Sequence, residues 1–206
     1  MTSSAATFQQ ALGAQIAGLL GGPYKFYKSR LELRAQVPDG HNVIILSGAN
    51  KYSPHISVSF YFGRNFAAAK EIEQLLGKHQ FYYHIQQYSP NRNVLKGLPY
   101  TGPYTWSVDI EKPPATLPSE IVEAIHGIAD PFFDRFSTMT KARDAIAADD
   151  PWCFGGRTFW SQLLLLDLAL GDLQHFERWA KSLDEFNRAQ AEETIAKYMA
   201  AKKGGV

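Results

Sequence analysis

The sequence holds a single cysteine, Cys153, so no intrachain disulfide can form and nothing in its thiol content points to an oxidising compartment. Long apolar runs are missing too. None exceeds four residues, and Leu163–Leu166 is closed at once by Asp167, far short of the ~20 residues a membrane-spanning helix needs. The N-terminal stretch lacks a basic segment followed by an apolar one, the mark of a secretion leader. A cytoplasmic protein without a membrane partner is the expectation. No charge of one sign dominates: 21 Lys and Arg face 20 Asp and Glu. A nucleic-acid partner requires a dense basic stripe, and none is present.

What is there suffices for a folded core. Apolar residues make up 45% of 206, an ordinary globular share in a length that suits one domain. Only the ends, MTSSAAT and AAKKGGV, look frayed. The charge divides unevenly. Residues 1–112 carry 11 Lys and Arg against 6 Asp and Glu, and residues 113–206 carry 10 against 14. Two mutually attracting halves of one domain are the simplest reading.

The first half reads as a helix and a sheet. Phe8, Leu12, Ile16, Leu19 and Leu20 follow helical spacing over about residues 4–20, before Gly21-Gly22-Pro23. A strand over about 24–37 places Tyr27, Leu31, Leu33, Ala35 and Val37 opposite Lys28, Arg30, Glu32 and Arg34. Pro38-Asp39-Gly40 turns the chain into a strand over 41–47, whose Val43–Leu46 run is apolar on both faces and so suits an interior position. Alternation marks three more strands, at about 55–63, 80–88 and 104–112. Between the first two, Asn65 caps a short helix with Phe66, Ala69, Ile72, Leu75 and Leu76 on one face, and Gly77 ends it.

Pro113–Ser119 is a linker, and helical patterns fill the rest. Val122, Ile125 and Ala129 lead into Pro131, which kinks or restarts that helix. Another helix spans about 138–148, and two more, about 157–170 and 172–201, meet at Gly171. The phrase LALGDLQHFERWAKSL is like a helical-repeat turn, but one copy makes no array. The fold class is α+β: an antiparallel sheet of about five strands flanked by helices, with a helical C-terminal half.

The order of elements, together with Val43–Ser47, Ser57–Gly63, Tyr104–Asp109 and the PFFDRFS stretch at Pro131–Ser137, resembles the domain of unknown function 4304 family over about residues 8–148. The resemblance implies the same fold class. It carries over no activity and no catalytic residue.

Few residues form a chemical set. Cys153 sits between Trp152 and Phe154 with no nucleophile signature around it, and reads as a small buried hydrophobe. His126, Asp130 and Asp134 share the spacing of a metal-binding helix face, but Pro131 falls among them. His79 and His84 fall on opposite faces of a straight strand. Asp149-Asp150 reads as a turn. Neither Gly18–Lys25 nor Gly77-Lys78 completes a phosphate loop. No cofactor and no metal is expected.

The strongest feature is collective. Alternation gives the sheet one apolar face and one polar face, the latter bearing Arg30, Tyr61, Tyr82, His84 and Asp109. Tyrosine and arginine on a firm sheet compose a recognition surface. The reading is an intracellular, non-enzymatic binding protein, such as a toxin-immunity protein. The alternative is an enzyme or small-molecule binder with a pocket between the sheet and the C-terminal helices, led by His84, Tyr61, Asp109 and Arg30.

Overall fold

The computed structural model describes residues 4–52, 54–77, 85–87, 97–153 and 160–204. Helix α1 (Ser4–Leu20) sets Leu12 and Ile16, one turn apart, into the core. Strands β1 (Tyr24–Tyr27), β2 (Glu32–Val37), β3 (Gly40–Tyr52) and β4 (His55–Phe66) form an antiparallel meander. Helix α2 (Ala67–Leu75) leaves the sheet next. Two short strands, β5 (Ile85–Gln87) and β6 (Thr105–Asp109), then pair antiparallel with β4. β5 lies against Phe62–Arg64 and β6 against His55–Ser59, so they sit end to end along one edge of β4. The C-terminal half is helical: α3 (Leu117–Ala124), α4 (Asp130–Arg135), α5 (Met139–Ala147), α6 (Trp160–Leu170), α7 (Leu173–Ala180) and α8 (Glu185–Gly204). The antiparallel α+β class with a helical C-terminal half holds.

The segment 24–37 differs from the single strand its alternation predicts. Lys28–Arg30 form a 3-10 turn, and Leu31 enters the left-handed region at φ 51°. The chain doubles back, and β1 pairs with β2, which brings the sheet to six strands among the described residues. Directly paired residues share a face, so Phe26 follows Leu33 to the core and Tyr27 follows Glu32 to the polar side. Period-2 reading fails here because a hairpin turn resets the phase.

β3 lies between β2 and β4, as its two apolar faces require. At its start Gly40 has φ 153°, and a Cβ there would collide with the Asn65 carbonyl. Only glycine lets the two backbones approach this closely. Asn65 does not cap α2. It remains in β4, its Nδ2 3.1 Å from His41 Nε2, while Phe66 takes the cap position without a side-chain bond.

The sheet meets the helical half through aromatic packing. Phe62 of β4 lies edge-on to Phe132 at 4.8 Å between centroids and Phe132 to Phe136 at 4.7 Å, the favoured aromatic geometry. Trp106 of β6 adds a hydrogen bond from Nε1 to Glu120 Oε2 at 3.2 Å. Arg64, 3% exposed, reaches from the sheet to the Ser137 carbonyl at 3.1 Å while binding Asn42 and Asp39. On the far side of the junction this basic group therefore meets a backbone carbonyl.

Pro131 lies in the first turn of α4, where the helix restarts as the sequence predicts. A π-helical turn, Ile125–Ala129, joins α3 to α4, and the Asp130 N–H reaches back five residues to the Ile125 carbonyl. A proline that cannot donate is tolerated in the first turn that follows. Further on, the predicted last helix is two. Lys181–Asp184 interrupts it, and Asp184 restarts it by accepting the Asn187 N–H at 2.8 Å. α8 continues to Gly204, past where the sequence suggests fraying.

Candidate functional site

The sheet face opposite the helices has two parts. Over β1 and β2, Arg34 donates from Nε to Glu32 Oε1 at 2.7 Å and stacks 5.0 Å above the Tyr27 ring. Glu32 is 3% exposed, so this corner is a packed ion pair. Over β4 and β6 the face is open and hydroxyl-rich. Ser57 pairs with Ser107, Ser59 with Thr105, and His55 with Asp109. His55, Ser57, Thr105 and Ser107 are exposed, and Ser59 and Asp109 are half-buried. The alternate residues Ile56, Val58, Trp106 and Val108 are buried on the other side.

The predicted site residues scatter over this surface. Tyr61 is half-buried, in one cross-strand row with Ile45 and Glu32. Asp109 sits opposite His55, six positions along β4 from Tyr61, a separation of about 20 Å at the strand rise. Arg30 is exposed in the 3-10 turn and belongs to no strand, so the alternation that put it on the face does not apply. Tyr82 and His84 lie outside the described residues, as does His79.

Other candidates resolve by contact. His126 Nδ1 and Asp130 Oδ2 pair directly at 2.7 Å across the π turn, and Asp134 stays exposed. Among the described residues no group of three or more His, Cys, Asp or Glu is arranged to hold a metal. Burial, with Asp150 and Asp149 nearby, pushes the Cys153 thiol up to about 12 despite the opposing charge of Arg135. A thiol held neutral is a poor nucleophile. Burial also raises the Tyr24 phenol, aided by Asp130.

Besides Glu32, sequence reasoning missed two buried acids. Asp167, fully buried in α6, is bonded through Oδ2 to His175 Nδ1 at 2.9 Å, while Arg143 stands 3.6 Å from its Oδ1. Burial raises the Asp167 carboxyl, and the His175 hydrogen bond and the charges of His175 and Arg143 pull it back. The signal was an aspartate closing a leucine run. Glu73, 2% exposed in α2, gave no signal, since a glutamate in a short helix normally faces water.

No family model matches the chain, and no curated protein or solved structure matches it either. Among the described residues, no helix is long and apolar enough to cross a membrane.

Proposed function

We propose that this is a cytoplasmic, non-enzymatic binding protein whose contact surface is the open part of the polar sheet face, over β4 and β6. The observation that carries the reading is the exposure of His55, Ser57, Thr105 and Ser107 side by side on two paired strands. Ser, Thr and His there offer both donors and acceptors on a backbone fixed by the sheet ladder. A surface held rigid in advance loses little conformational freedom on binding. A small domain that neutralises a partner by covering it needs such a surface and no catalytic set. Immunity to a bacterial toxin is a role of that kind.

Cross-linking of the native complex followed by mass spectrometry tests the reading. Cross-links should map to the β4–β6 face, and Ser107→Arg should abolish them with the melting temperature unchanged. A stable complex that keeps its affinity with Ser107→Arg and cross-links only through the helices would overturn it.

A further inference from the structure

The β1–β2 hairpin carries four cations, Lys25, Lys28, Arg30 and Arg34, against one carboxylate, Glu32. Glu32 is buried and taken by Arg34. All 20 Asp and Glu of the chain lie among the described residues. Within that set none forms an ion pair with Lys25, Lys28 or Arg30, and all three cations are exposed. Tyr27, 41% exposed, lies among them.

Folding does not call for this arrangement. Lys25 and Arg34 are direct cross-strand partners, and like charges set opposite each other destabilise a sheet. A lysine on a short edge strand such as β1 guards that edge against pairing with another chain. That role covers Lys25 alone, because Lys28 and Arg30 lie in the turn, outside the ladder.

The hairpin is continuous with the hydroxyl-rich face. Lys25 and Tyr27 pair with Arg34 and Glu32, so all four share the polar side. Leu31, which closes the turn, accepts the Leu46 N–H at 3.0 Å. Beside Leu46, the exposed Ser47 pairs with Ser59, and Ser59 with Thr105. Three strand spacings, about 15 Å, therefore link the basic turn to β6. A polymer of phosphates would need cations along that whole row, whereas beyond the hairpin the row consists of neutral hydroxyls.

We infer that the partner of this sheet face is an acidic protein. Its carboxylates meet Lys25, Lys28 and Arg30, and a neighbouring polar patch covers Ser47, Ser59 and Thr105. The inference rests on the sheet face being the contact surface. Rim charges of this kind speed encounter and lose their effect as salt rises.

Poly-L-glutamate of about 20 residues is the probe, titrated into the full chain at about 0.01 M salt, where exposed charges act across roughly 30 Å. Two-dimensional NMR follows the amides of Lys28 and Ser29 in the turn and of Ser47 and Thr105 on the row. Both groups should shift saturably. Lys25→Glu, Lys28→Glu and Arg30→Glu together should weaken binding at least about tenfold. If that variant does not fold, Lys28→Glu with Arg30→Glu, which leaves the ladder untouched, decides the matter. Oligothymidylate of similar length and phosphatidylserine vesicles should each bind more weakly than polyglutamate. Absent shifts, shifts confined to the turn, unchanged affinity after charge reversal, or tighter binding of the oligonucleotide or the vesicles overturns the inference. Such a failure leaves the sheet face itself to the cross-linking of the native complex. Cross-links confined to the helices would remove that reading, and this inference with it, whatever polyglutamate does.

Discussion

At the residue scale, buried titratable groups give two sharp expectations. The Cys153 thiol, raised to about 12, should react with Ellman's reagent at pH 8 at least about a hundredfold more slowly than a free cysteine. Labelling at the rate of a free thiol would show an exposed or activated group instead. Asp167 has a raised carboxyl, so folding favours its protonated form. Its stabilising contribution is therefore complete below the unfolded value, about 3.9, and is lost as pH rises through the higher folded value. Asp167→Asn removes that dependence. Denaturant melts at pH 4 and pH 7 should show the variant gaining on the wild type as pH rises, and a constant difference would refute the assignment. His175→Ala, which leaves the buried carboxylate without its hydrogen bond, should cost about 1–3 kcal/mol at pH 7.

At the scale of elements, two glycines in helical segments separate backbone propensity from packing. Gly18, in α1, has open space where a Cβ would go. Gly18→Ala should stabilise the fold by about 0.5–1 kcal/mol, since alanine loses less freedom in a helix. Gly127, in the π turn, would place a Cβ 2.5 Å from Tyr100 Cβ. Gly127→Ala should instead destabilise by about 1–3 kcal/mol through overpacking. Thermal melts of both variants, run together, check the opposite signs. Besides the local turn, the two positions differ in what the rest of the chain brings to them, which helical periodicity does not encode. The same limit explains β1 and β2. Alternation across 24–37 looks continuous, but Leu31 at φ 51° turns the chain and moves Tyr27 from the expected core side to the polar side.

For the whole molecule, the sheet divides into a face that packs against the helices and a polar face that is exposed over β4 and β6. Phe60, 2% exposed and stacked with Trp106 at 6.4 Å, belongs to the first. Phe60→Ala should cost roughly 3–5 kcal/mol. Ser107→Arg, on the exposed side of the adjacent strand β6, should move stability by no more than about 0.5 kcal/mol. Equal losses in chemical denaturation would mean that the polar face is covered and structural. The unequal charges of residues 1–112 and 113–206 invited an electrostatic account of their union. At that junction Phe62, Phe132 and Phe136 pack as an apolar cluster, and Arg64 crosses it to a carbonyl.

The sequence by itself determined the α+β class, the interior place of β3, the helical second half and the parity of β4 and β6. Each follows from local hydrophobic period, which burial on one face enforces. Only the tertiary structure decided where Glu73 and Asp167 lie. Their burial depends on partners that are distant in the sequence or on a neighbouring turn, such as His175 and Arg143 for Asp167, and a one-dimensional pattern carries no term for such contacts. It also decided that Tyr61 and Asp109 stand about 20 Å apart along one strand direction. Shared parity puts residues on a common face, and strand pairing alone sets the distance between them.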